Sequence, residues 1–169
     1  VLTAVKQLRD PEYLDFNLAA MPGVVDATLN EKLANYCEVR GDALALLDLD
    51  SGYRPREDVT RNNITLTANQ GTVAGAVEYR RNDLSAVIHS YAATFYPWVE
   101  IADGRTDSIV PVPPTVAMMG VFGRVKQTSD VWFAPAGFQR GGLSDGSTGL
   151  RVLNVKDRLT SAERDELYD

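Results

Sequence analysis

The stretch Asp42-Ala-Leu-Ala-Leu-Leu-Asp-Leu49 is a nearly continuous apolar run bounded by acidic residues. An apolar run of this length without alternation is typical of a β-strand that is buried on both faces, as in a sheet covered by helices. The stretch therefore predicts a central strand and, with the elements around it, an α/β fold.

A helix and a shorter strand precede this run. Apolar residues recur at helical spacing over about 28–40, and Gly41 follows as an end signal. Thr28-Leu-Asn-Glu31 has the reciprocal capping pattern that opens helices. Asp15–Ala20 predicts a short strand closed by a turn at Met21-Pro22-Gly23. The order is strand, helix, strand, after a helix over 3–10 that Asp10-Pro11 ends.

Residues 50–70 are rich in Gly, Pro, Asp, Arg and Asn, which predicts a long surface loop. Thr72–Arg81 predicts a short helix. Ser85–Phe95 is β-branched and aromatic, which predicts a strand, and Trp98–Ala102 continues extended after a break at Pro97.

The rest of the chain also predicts strands followed by helices. Asp103-Gly104 predicts a tight turn into a strand over Ser108–Val112. A helix is expected over about 115–128, where the small Ala117, Gly120 and Gly123 would allow close packing. Residues 137–149 predict a Gly/Ser loop, and Thr160-Ser-Ala-Glu163 opens a last helix to about 168. We expect a mixed central sheet flanked by helices, in one domain spanning 1–169.

Composition excludes several classes of function. The 169 residues are 44% hydrophobic, enough for one domain with a substantial core. The net charge of −6 and the scattered basic residues, of which only Arg80-Arg81 are adjacent, argue against nucleic-acid binding. No apolar run approaches a membrane span, and no signal peptide is evident. The lone Cys37 favours a reducing compartment.

Three candidate catalytic features are each incomplete. Leu46-Leu-Asp-Leu-Asp-Ser51 resembles the strand end of haloacid-dehalogenase-like phosphatases, with Asp48 as nucleophile and Asp50 as general acid beside Mg²⁺. However, Gly52 stands where that family has Thr or Val, and no later acidic pair completes a metal site. His89, the only histidine, lies on a predicted strand, and Gly137–Gly146 lacks the lysine and helix of a phosphate-binding loop. We expect no catalytic, cofactor-binding or metal-binding residues.

Two aromatic and proline-rich segments, Tyr91–Val99 and Val131–Gly137, look instead like packing or docking surface. We expect the rings of Trp98 and Trp132 in the core, and the alternative is that they anchor an interface. The residues of these segments that we expect to serve in packing or at an interface are Tyr91, Tyr96, Pro97, Trp98, Trp132 and Pro135.

These segments also carry a family resemblance. Ser90-Tyr-Ala-Ala-Thr-Phe-Tyr-Pro-Trp-Val99, then Val112-Pro-Pro-Thr115 leading into Met119-Gly-Val-Phe-Gly-Arg124, then Val131-Trp-Phe-Ala-Pro-Ala-Gly137 follow the order and spacing of bacteriophage contractile-tail sheath proteins. Upstream, Asn17–Gly23 and Tyr36–Arg40 fit the same pattern. The chain resembles the carboxyl-side core domain of that family over roughly residues 14–168.

The resemblance implies a viral structural protein without cofactor or catalysis. Sheath subunits form a helical homopolymer around the tail tube, held by strand-adding arms, and contract to drive the tube through the host envelope for genome ejection. The implied partners are other sheath subunits, the tail tube protein and the baseplate, with no nucleic acid or membrane. The implied location is the virion tail, after assembly in the host cytoplasm. The sheath of a related contractile particle, such as an R-type bacteriocin, is the alternative.

The sequence departs from the family at both ends. It begins at Val1 without an initiator Met and stops at Asp169, where family members continue into polymerising strands and an arm. We therefore expect a fragment without these arms, monomeric on its own. Residues 50–70 correspond to a variable place in the family.

Overall fold

The computed structural model describes residues 6–49, 72–84, 89–106, 108–130, 132–143, 150–155 and 158–168. The fold is α/β, as the sequence predicts. The chain divides into two compact units, a first unit of Val1–Tyr96 with Leu159–Asp169 and a second unit of Pro97–Arg158. The described strands are β1 (Leu18–Ala20), β2 (Leu44–Asp48), β3 (Ala92–Phe95), β4 (Val99–Ala102), β5 (Ile109–Val112) and β6 (Val152–Val155). The helices are α1 (Ala27–Arg40), α2 (Val73–Glu78), α3 (Pro114–Thr128), α4 (Gly137–Arg140) and α5 (Ser161–Tyr168).

The first unit contains a parallel sheet of order β1-β2-β3. Leu18 pairs with Leu44 and Ala45 pairs with Ala92, so β2 is hydrogen-bonded on both sides. Its residues are buried from Ala45 to Asp48, which confirms the buried strand predicted from the apolar run over 42–49. Of the predicted strand over 85–95, the described part is a 3₁₀ turn over His89–Tyr91 followed by β3 over Ala92–Phe95. Residues 85–88 and the predicted loop over 50–70 lie outside the described residues.

Helix α1 covers this sheet and begins earlier than its predicted cap. The N-cap is Asp26, whose carboxylate accepts the Leu29 N–H at 2.9 Å. The N-cap predicted at Thr28 is therefore wrong, because the helix begins at Ala27 and Thr28 lies within it. Gly41 ends the helix as predicted, in the left-handed conformation at φ 72°, with its N–H donating to the Cys37 carbonyl.

Buried side chains of α1, β2 and α2 form the core of the first unit. Leu33 and Cys37 of α1 pack with Leu47 of β2 and Ala76 of α2. The predicted helix over 72–81 is confirmed, with Thr72 as its cap, and it continues as a π-helical turn over Tyr79–Asp83. Helix α5 is also confirmed. Its capping residues Thr160 and Glu163 bond reciprocally, since the Glu163 carboxylate accepts the Thr160 N–H at 2.7 Å and Glu163 N–H donates to the Thr160 hydroxyl at 3.3 Å.

The second unit contains an antiparallel sheet of order β5-β4-β6. The predicted turn between β4 and β5 is confirmed, and the Asp103 carboxylate accepts the Arg105 N–H and the Thr106 hydroxyl. Strand β6 was not predicted, and α4 occupies part of the predicted loop over 137–149, of which residues 144–149 lie outside the described part.

Helix α3 spans the predicted range and buries Ala117 and Val121. The close packing expected at Gly123 is wrong for the described residues, since a Cβ built there meets no described atom within 4 Å. None of the described helices is long and apolar enough to cross a membrane.

Candidate functional site

The first aromatic and proline-rich segment is shared between the two units. Tyr91 and Tyr96 are partly buried and pack against the core of the first unit. Pro97 and Trp98 are half-buried and begin the second unit, where Val99 of β4 is in the core. The aromatic side chains of Tyr91 and Tyr96 therefore contribute to packing of the first unit, whereas Trp98 is half-buried and is not among the described residues that form or pack against the core of the second unit.

The second segment is at the surface. The Trp132 side chain is 74% exposed and the Phe133 side chain 41% exposed, and Pro135 is half-buried. The expectation of a core position for Trp132 is therefore wrong. The backbone gives the reason, because the described residues 132–136 form turns, such as Phe133 N–H to Asp130 carbonyl at 3.1 Å, rather than a strand whose alternation would turn one ring inward.

Trp132, Phe133 and Arg140 form what we call the aromatic patch. The two rings lie 6.3 Å apart between centroids, at 31°. The Arg140 guanidinium from α4 lies 4.7 Å above the Phe133 ring, within the range of a cation–π contact. Exposed Trp and Arg side chains are the types enriched where proteins bind one another tightly. The patch therefore has the composition of a docking surface.

Further apolar side chains of the second unit face solvent along its sheet and α3. They are Ile109, Val110, Met119 and Leu153, exposed by 61%, 37%, 40% and 44%. Ile109 and Val110 lie on β5 and Leu153 lies on β6, which are the outer strands of the described sheet. Among the described residues, the exposed large apolar side chains of the second unit therefore lie on its outer strands, on α3 and in the aromatic patch.

Strand β5 carries a proline at its outer edge. Asp103 N–H donates to the Ser108 carbonyl at 2.9 Å, and because antiparallel pairs alternate, the pair of Glu100 with Pro111 is a non-hydrogen-bonded one. The nitrogen of Pro111 therefore points away from β4. Since proline has no N–H, this edge lacks a donor at its centre.

The first unit contains a crevice of about 720 Å³ at the carboxyl ends of β2 and β3, which we call the arginine crevice. Ligands of open parallel sheets commonly bind at this end of the strands. Arg80 and Arg81 reach the crevice from the π-helical turn after α2, and Arg164 reaches it from α5. The apolar lining residues are Leu49, Ala76, Val77, Phe95, Leu159 and Leu167. Thr94, Tyr96, Tyr168 and Glu166 complete the lining.

Each arginine of the crevice has a different environment. Burial lowers the pKa of the Arg80 guanidinium, which donates to the Leu84 carbonyl at 3.0 Å. Arg164 donates to the Ser161 hydroxyl at 3.2 Å. Arg81 is exposed, and neither Arg81 nor Arg164 forms an ion pair with a described carboxylate. Sequence reasoning noted the adjacent Arg80-Arg81 but missed the site, because Arg164 is distant in sequence and only the fold brings it near.

The candidate phosphatase residue Asp48 has a structural contact. Its side chain is 1% exposed, and its Oδ2 accepts the Gly23 N–H at 2.8 Å, which fixes the turn after β1 to the end of β2. Asp50, the second aspartate of that hypothesis, lies outside the described residues. Within the described ranges no three His, Cys, Asp or Glu side chains gather as metal ligands do.

The remaining candidates for chemistry are placed as follows. Cys37 is buried, and burial raises its thiol pKa to about 11, so the thiol is protonated at neutral pH. His89 lies in the 3₁₀ turn rather than on a strand. Of the glycine-rich stretch Gly137–Gly146, the described part begins with the short helix α4.

Comparison with known proteins assigns no family to this chain. No protein-family model matches the sequence, and no curated protein matches it. The likeness to sheath proteins therefore depends on the residues quoted for it and on what the surfaces of the two units can do.

Proposed function

We propose that this chain is the core of a structural subunit of a contractile phage tail sheath. In that role it polymerises helically around the tail tube, attaches to the baseplate, and contracts to drive the tube through the host envelope. The observation that carries the proposal is the aromatic patch, because its Trp132 and Phe133 belong to a segment on which the resemblance depends and are exposed in the isolated chain.

An exposed tryptophan at 74% is costly to leave in water and valuable to bury against a partner. Burial of large aromatic rings is a dominant source of affinity at protein interfaces. Helix α3, which carries another segment of the resemblance, also exposes Met119 at 40%. Two of the quoted segments therefore supply exposed apolar surface to the second unit, which suits a subunit that binds copies of itself.

The proposed mechanism needs no catalytic group. A head-to-tail contact that does not close into a ring generates an open helical polymer, and strand addition at a sheet edge can tether neighbours while rigid units slide. The energy of contraction would come from better-packed contacts in the shortened polymer. The sheath of an R-type bacteriocin would use the same surfaces, and the particle in which the protein is found distinguishes the two.

The test is electron microscopy of the natural protein that contains this chain, purified with and without a single substitution. We expect helical tubes from the natural protein, and their loss or shortening in Trp132→Ala. Val39→Ala is the control, since Val39 is 60% exposed on α1 of the first unit and lies in none of the exposed segments that carry the proposal, and we expect its tubes to be normal. A natural protein that stays monomeric in the presence of its tail tube would refute the proposal.

Trp132→Ala also needs a check on folding. Because the side chain is 74% exposed, we expect the variant to have the same circular dichroism spectrum and melting temperature as the natural chain. If Trp132→Ala assembles as well as Val39→Ala while remaining folded, the aromatic patch is not an assembly surface.

A further inference from the structure

The arginine crevice has a charge opposite to that of the whole chain. Among its described lining residues, the guanidinium groups of Arg80, Arg81 and Arg164 outnumber the carboxylate of Glu166, whereas the chain carries −6. Arg81 and Arg164 form no ion pair with a described carboxylate. A guanidinium has five N–H donors in a planar fork that matches a carboxylate. The crevice is therefore suited to hold carboxylates that come from outside the unit.

The lining of the crevice also favours a ligand that carries apolar groups beside its carboxylates. Val77, Phe95 and Leu167 offer apolar surface beside the guanidinium groups. The volume of about 720 Å³ is large enough for several side chains and much larger than a simple anion needs. The ligand that fits this chemistry is a peptide segment in which carboxylates alternate with apolar side chains.

This chain presents such a segment on its own surface. Asp10-Pro-Glu-Tyr-Leu-Asp15, which we call the acidic loop, is exposed at every residue and follows the basic Lys6 and Arg9. It carries three carboxylates and no basic residue. Its Tyr13 and Leu14 are 66% and 41% exposed, although both are large and apolar. The acidic loop and the arginine crevice are thus complementary in charge and in apolar character.

The acidic loop is also held in one shape. The Asp10 carbonyl accepts the Tyr13 N–H at 3.2 Å, and the Asp10 carboxylate accepts the Glu12 N–H at 3.0 Å. From α1, Arg40 donates to the same Asp10 carbonyl at 3.2 Å, while its other nitrogens contact Asp42 at 2.8 and 2.9 Å. A loop fixed before binding loses less conformational entropy when it docks.

We infer that the acidic loop of one copy of this chain docks into the arginine crevice of a second copy. The two surfaces differ, so the contact is head-to-tail and can repeat along an open helical polymer. The inference deepens the proposed function and depends on it only for the place of the contact in a sheath. The contact itself is a property of the isolated chain at millimolar concentration, and it is weak enough for the chain to be monomeric in dilute solution.

The contact can be tested with two variants that each disable one half of it. Arg81→Glu damages the crevice and keeps the acidic loop, whereas Glu12→Arg damages the loop and keeps the crevice. Both side chains are exposed and make no described hydrogen bond, so folding should persist. By sedimentation equilibrium at millimolar chain concentration and low salt, we expect each variant alone to self-associate about fivefold more weakly than the natural chain.

An equimolar mixture of the two variants gives the decisive result. The loop of Arg81→Glu can enter the crevice of Glu12→Arg, so we expect the mixture to form one-to-one pairs with about the natural affinity. Arg105→Glu is the matched control, because it makes the same charge change on the exposed turn of the second unit. If the mixture associates no better than either variant alone, or if Arg105→Glu weakens association as much as Arg81→Glu, the inference is wrong.

The natural protein separates this inference from the proposed function. If it forms tubes that neither Glu12→Arg nor Arg81→Glu disturbs, the loop–crevice contact is overturned and the sheath proposal stands. If it forms no tubes while the two variants still pair in the mixture, the contact is supported and the sheath proposal fails.

Discussion

Replacement of Gly41 by alanine should destabilise the first unit although the structure has room for the added methyl group. Gly41 has φ 72° and ψ 2°, and a Cβ at this position would lie 3.8 Å from the Tyr91 hydroxyl, an ordinary contact distance. The cost is therefore one of backbone conformation. The left-handed region costs an L-residue about 1–2 kcal/mol.

Part of this cost is offset in the unfolded chain. Alanine has fewer unfolded conformations than glycine, which favours the folded state by about 0.4–1 kcal/mol. The mid-range values of the two effects, about 1.5 and about 0.7 kcal/mol, leave an expected loss of about 0.8 kcal/mol in the free energy of unfolding, or roughly 2–3 °C in melting temperature for a chain of this size. Gly41→Asn should lose less than Gly41→Ala, because asparagine tolerates the left-handed region better.

A glycine-to-alanine substitution in α3 should have the opposite effect on the free energy of unfolding. Gly123 is exposed within that helix with no described atom near its Cβ position, so Gly123→Ala should stabilise the second unit by about 0.5–1 kcal/mol. Both tryptophans of the chain, Trp98 and Trp132, belong to the second unit, so their fluorescence reports its unfolding. Far-UV circular dichroism in urea follows both units. If Gly41→Ala proves as stable as the natural chain, or if Gly123→Ala lowers stability in the isolated chain, the backbone argument is refuted.

Four further results are expected. Cys37 should react with a disulfide reagent at pH 8 about a hundredfold more slowly than an ordinary thiol of pKa 9.0, since its pKa is raised to about 11, and urea should abolish the difference; a fast reaction in the folded chain would contradict its burial. The pKa of Asp103 is lowered by the Thr106 hydroxyl first and the Arg105 N–H second, so this contribution to stability should be complete above the ordinary pKa and lost as pH falls through the lowered one; an NMR titration should show Thr106→Val raising the pKa of Asp103. Thr160→Ala should cost about 1 kcal/mol through loss of the cap of α5, visible as faster amide exchange at its first turn, and unchanged exchange would argue against the cap. No Mg²⁺-dependent hydrolysis of a phosphate ester should be detectable, and turnover that Asp48→Asn abolishes would restore the phosphatase hypothesis.

The elements of the first unit were the most predictable part of the fold. The apolar run over 42–49, the helical spacing before Gly41 and the capping pattern at Thr160 are local signals, and the structure confirms each. The N-cap of α1 was placed two residues late because Asp26 and Thr28 both have suitable side chains, and only the position of the preceding turn decides between them.

The second unit was less predictable, and its surface least of all. Strand β6 is only four residues long and is defined by pairing with β4, which is distant in sequence. Trp132 was expected in the core because large aromatic residues usually pack there, but a sequence does not show which rings a turn leaves outside. The arginine crevice depends on the fold placing Arg80 and Arg164 in the lining of one crevice, which no local pattern encodes.

The missing donor at Pro111 also affects how readily this chain aggregates. An unpaired edge strand with exposed apolar side chains, such as Ile109 and Val110, is the kind of surface on which other chains add strands and aggregate. Because Pro111 offers no amide hydrogen, a foreign strand cannot form a regular hydrogen-bond ladder with this edge. The apolar side chains nearby remain available to a specific partner. Pro111 would thus limit aggregation at this edge while the apolar side chains of Ile109 and Val110 stay exposed.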